Sequence, residues 1–220
     1  MDQTNRRGFL RTLGFSAATL GAAGSRRRRA HAAAKSKRPN VLFILTDDQR
    51  EDTINALGNP HIQTPHLDEL AHNGVVFTNA YCMGGFSAAV CAPSRMMTLR
   101  GRSWFSVRGL SKGFPNFPTS MNDGGYLTFH LGKRGNTDQE VQALFAESHY
   151  VRPRYKPNAP EKDADELVRR EGIPGRQLAD GAIAFLRGRD RGKPFFMYLA
   201  GPEPHDPRVA TKCTWFAIRQ

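Results

Sequence analysis

Two uninterrupted apolar runs constrain the fold of this chain more than any other feature. Residues 41–46 read Val-Leu-Phe-Ile-Leu-Thr, and residues 193–200 read Lys-Pro-Phe-Phe-Met-Tyr-Leu-Ala. Neither run alternates polar with apolar residues, which is typical of strands buried on both faces. A helical pattern over residues 175–187 precedes the second run, and a helix that leads into a buried strand is part of a βαβ unit. This order predicts an α/β fold built on a largely parallel sheet.

Polar residues that could take part in catalysis or binding follow each predicted strand. Asp47 and Asp48 come directly after the first run, and His205 lies in a proline-rich loop after the second. Residues 126–131 predict a third strand, which ends at Gly132 and Lys133. Because ligands of open α/β sheets bind at the carboxyl ends of the strands, these side chains are expected at one edge. Two adjacent carboxylates suit Ca²⁺ or Mg²⁺. The alternative is a set of unrelated, solvated loop residues.

The segment from Cys91 to Gly101 predicts a short helix. Pro93 suits the first turn of a helix, and Gly101 suits its end. Cys91 then lies at the helix N-terminus, where backbone N–H groups favour negative charge, and Arg95 follows one turn later. These two residues are placed to handle an anion. The alternative is a half-buried structural cysteine on a short helix.

Several segments together resemble the sulfatase family. The pattern C-x-P-S-R-x-x-x-L-x-G at 91–101 is the sulfatase signature, and residues 65–82 resemble the pattern that precedes it. Gly-Tyr-x-Thr-x-x-x-Gly-Lys at 125–133 resembles the second signature, and Pro-His-x-Pro at 204–207 resembles a third segment of the family. The resemblance runs from about 39 to 210 and indicates the N-terminal part of the catalytic domain. It implies an alkaline-phosphatase-like α/β fold with helices on both faces of the sheet.

The resemblance also implies a mechanism and a set of site residues. In sulfatases the signature cysteine is converted to formylglycine, here at Cys91, and its hydrate is the nucleophile. A formylglycine-generating enzyme is then a partner, and Ca²⁺ or Mg²⁺ is the metal cofactor. The expected metal ligands are Asp47, Asp48 and residue 91; the expected catalytic residues are Cys91, Arg95, Lys133 and His205. The implied function is hydrolysis of a sulfate ester of a sulfated carbohydrate or small molecule.

One position departs from the family pattern. Many sulfatases follow the lysine with Trp-His, whereas Arg134, Gly135 and Asn136 follow Lys133 here. Either Asn136 or His130 substitutes for that histidine, or this chain manages without it. Two other functions stay open: a phosphodiesterase or phosphonate-ester hydrolase of the same superfamily, and an inactive sulfatase-like binding protein.

The N-terminal 34 residues are typical of a twin-arginine export signal. Arg6 and Arg7 precede a short, weakly apolar stretch and an Ala-x-Ala site at 30–32. The signal predicts export to the periplasm or beyond, with the twin-arginine translocase as a partner. The alternative is a basic arm that binds nucleic acid or membrane.

Residues 1–32 hold seven arginines of a chain with a net charge of +12. The remaining positive charge fits an anionic substrate and is too diffuse to indicate nucleic acid.

The rest of the chain yields further structural predictions. Three cysteines without metal-like spacing predict no disulfide framework. We expect a helix from Thr64 to Gly74 with an inner face of Leu67, Leu70 and Ala71, a strand at 75–77, and helices at 119–123 and 161–171. Residues 211–220 lack the family pattern and are interpreted as an aberrant tail of a truncated chain. A sheet shortened in this way would expose an edge strand.

Overall fold

The computed structural model describes residues 38–86, 90–107, 113–151 and 174–205. Its strands are β1 (Val41–Ile44), β2 (Leu127–Gly132), β3 (Glu147–Tyr150) and β4 (Phe195–Ala200). Its α-helices are α1 (Pro65–Asn73), α2 (Cys91–Arg100), α3 (Trp104–Val107), α4 (Phe117–Asp123), α5 (Gln139–Gln142) and α6 (Pro174–Gly188). Two short 3₁₀ turns, Glu51–Thr53 and Asn55–Leu57, precede α1. The predicted segments 1–34, 161–171 and 211–220 lie outside the described residues.

The four strands form one parallel sheet in the order β1-β4-β2-β3. Every residue of β4 is buried, because this strand lies between β1 and β2 and is covered on both faces. The α/β fold with a largely parallel sheet, predicted from the apolar runs, is therefore confirmed.

Helices cover both faces of the sheet. On one face α6 packs Ala182 and Phe185 against Phe129 and Met197. On the other face Leu99 of α2 and the region of α4 pack against Phe196 and Tyr198. This second layer includes α2, the helix that carries Cys91.

Local sequence accounts for where the helices begin and end. Gly101 ends α2 with a φ of 60°, a left-handed conformation that glycine adopts without strain. Asn116 caps α4 by accepting a hydrogen bond from the Thr119 N–H at 3.1 Å. Because of this cap, α4 begins at Phe117, two residues before the predicted start.

Three expectations about burial and pairing are wrong. Strand β1 is not buried on both faces: Leu42 and Ile44 are 53% and 59% exposed, because β1 is an edge strand and α6 packs over β2 and β4 instead. The expected inner face of α1 is open, with Leu70 64% exposed. Residues 75–77 form no strand, because no strand within the described part of the chain lies beside them to supply hydrogen bonds.

Within the described residues, no helix is long and apolar enough to cross a membrane.

Candidate active site

The carboxyl ends of β1, β2 and β4 are joined by backbone hydrogen bonds just beyond the sheet. The Asp47 N–H donates to the Glu203 carbonyl at 2.9 Å, which extends the β1–β4 pairing past both strands. The Lys133 N–H donates to the Ala200 carbonyl at 3.0 Å, which does the same for β2 and β4. The predicted meeting of the three strand ends is therefore present for Asp47, Lys133 and the loop that carries His205.

The carboxylate of Asp47 lies at the centre of this edge. Asp47 is only 4% exposed. Its Oδ2 contacts the Lys133 Nζ and lies 3.6 Å from the Arg95 Nη2. An ionised carboxylate is costly to bury without a counter-charge, and here two cations supply it. The sequence predicted that a cation would stabilise the acid pair, but it did not predict that two side chains of the chain itself would do so.

Arg95 lies at the end of β4, where two carbonyls and one carboxylate surround its guanidinium. Its guanidinium donates from Nη1 to the Ala200 carbonyl and from Nη2 to the Gly201 carbonyl, each at 3.1 Å. The residue is 1% exposed, so it lies inside the protein between α2 and the strand ends. The planar guanidinium can donate to two carbonyls at once, because its five donors point in fixed directions, and its charge still lies near the carboxylate.

The other predicted site residues border this centre. Cys91 is the first residue of α2, is half-buried and forms no disulfide. Its spacing of four from Arg95 places the two residues on the same side of the helix. His205 is half-buried, and its backbone N–H donates to the Pro202 carbonyl at 3.1 Å. Asp48 is exposed, and its φ of 58° lies in the left-handed region.

The donor types at this edge fit a hard divalent cation, but their number does not complete a coordination shell. The buried Asp47 carboxylate and the adjacent Asp48 are hard oxygen donors, and the interactions around Asp47 show that this position takes positive charge. No group of three or more His, Cys, Asp or Glu side chains in the described ranges is arranged to hold a metal ion. The described residues therefore supply only part of the six to eight oxygens that Ca²⁺ takes.

A buried ion pair that sequence reasoning missed connects α2 to the loop after β2. The Arg100 Nε donates to the Asp138 Oδ2 at 2.6 Å, and its Nη2 donates to Oδ1 at 3.2 Å. Asp138 also caps α5 by accepting from the Val141 N–H at 3.4 Å. The hydrogen bond and the charge of Asp138 raise the pKa of Arg100. The two residues are 38 positions apart, so no local pattern could have paired them.

Beneath the strand ends, Tyr198 and His130 stack in the core. Their ring centroids are 5.7 Å apart, and both side chains are fully buried. Burial raises the pKa of Tyr198 to about 12. Burial, with the charges of Arg95 and His149, lowers the pKa of His130 to about 3, so His130 is neutral at pH 7.

His130 is one of the two residues that the sequence offers in place of the histidine expected at Gly135, and its side chain is fully buried. Its imidazole accepts or donates one hydrogen bond, to the Ser148 hydroxyl at 3.0 Å, inside the core rather than at the strand ends. Asn136, the other alternative, is exposed in the loop that follows Lys133 and has a φ of 52°.

Comparison with known proteins shows which family the chain resembles. Residues 39–215 match the family model described as Sulfatase. The chain is 31% identical to an N-acetylglucosamine-6-O-sulfatase of Bacteroides thetaiotaomicron over 187 residues, which covers 78% of this chain and 31% of the relative. It is also 31% identical to a ulvan-active sulfatase of Formosa agariphila over 173 residues, which covers 77% of this chain and 31% of that protein.

A solved structure, described as a complex with its substrate D-glucosamine-2-N,6-O-disulfate, superimposes with a TM-score of 0.61 and 26% identity. The match covers 80% of this chain and 36% of that one. The chain thus spans about a third of the length of the curated relatives that it matches.

Proposed function

The chain belongs to the sulfatase family, and on that premise we propose that it contributes to the hydrolysis of a sulfate ester. The observation that carries the proposal is the position of the signature helix α2. Its Arg95 joins the end of β4 to Asp47, and Asp47 contacts Lys133 from the end of β2. Four segments distant in sequence thereby bring the signature helix, Asp47, Lys133 and the end of β4 to one edge of the sheet.

The proposed substrate class is a sulfated carbohydrate. Two of the relatives are named for N-acetylglucosamine 6-sulfate and for ulvan, and the superimposed structure is described with a glucosamine disulfate. Outside the N-terminal 32 residues the chain still holds more basic than acidic side chains, which favours an anionic substrate.

The proposed nucleophile is residue 91 after conversion of its cysteine to formylglycine. The hydrated aldehyde has two hydroxyl groups: one attacks sulfur, and loss of the proton from the other expels sulfate and restores the aldehyde. A thiol lacks the second hydroxyl, so the conversion is a requirement of this chemistry. Conversion needs a formylglycine-generating enzyme, and residue 91 at the end of a helix, half-buried rather than fully enclosed, is compatible with it.

The remaining side chains of the site have separable roles in this proposal. Lys133 and His205 orient the sulfate, and one of them assists departure of the alcohol as a general acid. Arg95 acts as a fixed positive charge beside the reacting group, because its donors are held by the end of β4.

Asp47, Asp48 and residue 91 would hold the chain's share of a Ca²⁺ or Mg²⁺ site. Such a cation, when bound, would supply Lewis-acid polarisation of a sulfate oxygen. Because few donors come from the described residues, we expect the chain by itself to bind the cation weakly, with a dissociation constant of about 10⁻⁴ to 10⁻³ M. Export by the twin-arginine translocase, inferred from residues 1–34, would place the site in the periplasm or beyond.

The test is mass spectrometry of the peptide that contains residue 91, followed by a turnover assay. The full chain is co-expressed with a formylglycine-generating enzyme, with Cys91→Ala as the inactive variant and Cys82→Ser, at an exposed thiol, as the matched control. We expect aldehyde at residue 91 and release of sulfate from glucosamine 6-sulfate or 4-nitrophenyl sulfate. An intact thiol at residue 91 would contradict the proposed nucleophile. Hydrolysis of bis(4-nitrophenyl) phosphate alone would favour the phosphodiesterase, and sulfate binding without turnover would favour the binding protein.

A further inference from the structure

The two cations beside Asp47 differ in how firmly each is held. Arg95 is anchored independently of Asp47, because both of its terminal nitrogens donate to carbonyls of β4 and its loop at 3.1 Å. Its 3.6 Å separation from the Asp47 Oδ2 exceeds hydrogen-bond length. Lys133 is the opposite case: its Nζ contacts the Asp47 Oδ2 directly, and its side chain is 13% exposed. Arg95 is thus held by partners other than the carboxylate, whereas Asp47 is the ion-pair partner that the described residues give the Lys133 ammonium.

A lysine side chain can change its conformation and so break an ion pair such as that between Lys133 and Asp47. Its ammonium sits on a flexible stem of four carbons, whereas only the backbone of Lys133 is fixed, by the hydrogen bond to Ala200. Asp47 is 4% exposed, so its carboxylate, when ionised, needs a positive partner. A divalent cation on Asp47 would meet that need and would repel the ammonium.

We propose that Lys133 is an exchangeable counter-ion of Asp47 that a divalent cation displaces. Without the cation, the Lys133 ammonium neutralises the carboxylate and is not available to a substrate. Cation binding releases the ammonium toward the sulfate-binding side of the edge. This inference rests on the cation site of the proposed function and adds a consequence: cation and anion bind with positive coupling, because the first makes a ligand of the second available.

The test is Ca²⁺ binding by variants of the full chain with the Cys91 thiol intact, so no turnover is needed. Binding is measured as the rise in unfolding free energy with Ca²⁺ concentration. Lys133→Met removes the competitor, and we expect it to bind Ca²⁺ about tenfold more tightly than the wild type. Lys133→Arg provides a competitor with a planar fork that fits a carboxylate better, and we expect weaker binding than in the wild type. Lys193→Met, at an exposed lysine before β4, is the matched control and should leave the affinity unchanged.

The outcomes separate this inference from the function on which it rests. Equal or weaker Ca²⁺ binding by Lys133→Met, in a chain whose wild type binds Ca²⁺, overturns the exchange and leaves the cation site in place. Absence of Ca²⁺ binding in both proteins overturns the cation site and the exchange together. If Lys133→Met does not fold, the comparison of Lys133→Arg with the wild type decides, and an unchanged or tighter affinity of that variant contradicts the exchange.

Discussion

Burial of His130 makes a quantitative prediction about stability in acid. The imidazole is fully buried against Tyr198, Phe145 and Tyr150, and its pKa falls from 6.5 to about 3. The folded state therefore binds this proton less readily than the unfolded state, so stability rises with pH. The contribution of His130 is fully present above pH 6.5 and is lost as the pH falls toward 3. At about 1.36 kcal/mol per pH unit, the complete loss is roughly 5 kcal/mol, of which about 2 kcal/mol falls between pH 6.5 and 4.5.

Urea unfolding at pH 6.5, 5.5 and 4.5 measures this contribution. His130→Phe retains an aromatic ring and removes the titration, so we expect it to lose about 2 kcal/mol less than the wild type over this interval. His72→Gln, at an exposed histidine near the end of α1, is the control and should follow the wild type. His130→Gln replaces the phenylalanine variant if that protein does not fold. Parallel pH profiles of the wild type and the His130 variant would refute the reasoning, because they would mean that the buried imidazole titrates at its ordinary pKa.

Two further substitutions test packing around the site, both by urea unfolding at pH 7. Asp138→Asn removes the buried carboxylate that accepts two hydrogen bonds from Arg100, and it should cost about 3 kcal/mol. Glu140→Gln removes a more distant carboxylate whose side chain is 58% exposed, and it should cost less than about 1 kcal/mol. Equal losses would contradict a special role for the buried pair. Gly132→Ala would place a Cβ 2.5 Å from the Ala200 carbonyl oxygen and should cost about 1–3 kcal/mol, whereas Gly135→Ala meets no atom within 4 Å; a neutral Gly132→Ala would show that β2 and β4 separate readily.

The sequence predicted the parts of the fold that depend on local pattern. Strand β4 and helix α2 are where their residues indicated, because an apolar run and a proline-to-glycine segment each determine structure without distant partners. The meeting of Asp47, Lys133 and the His205 loop was also predictable, since parallel strands end at the same edge. The exposed face of β1 was not, because burial of an edge strand depends on what lies beyond the edge, which the residues of that strand do not encode.

The burial of two charged residues of α2 could not be predicted from local sequence, for a different reason. Arginines are mostly found on the surface, so a pattern of apolar residues would place Arg95 and Arg100 outside. Both are nevertheless buried, together with Leu99. Their partners come from the end of β4, from Asp47 and from Asp138, and only the folded chain shows them together. The sequence singled out the signature arginine as a candidate site residue, but its burial at the strand ends is visible only in the structure.

This burial explains how residue 91 acquires a defined direction. A helix held only by apolar side chains tolerates small rotations, because dispersion contacts are numerous and weakly directional. Helix α2 is held at Arg95 by two carbonyls and at Arg100 by two carboxylate oxygens, and these hydrogen bonds have fixed directions. A rotation of α2 by one residue would break these hydrogen bonds of both guanidiniums inside the protein. The loss in stability would be several kcal/mol for each guanidinium. The rotation of α2 about its axis is therefore limited by hydrogen bonds at Arg95 and Arg100 as well as by the packing of Leu99, and this limit extends to Cys91 at the first position of the helix.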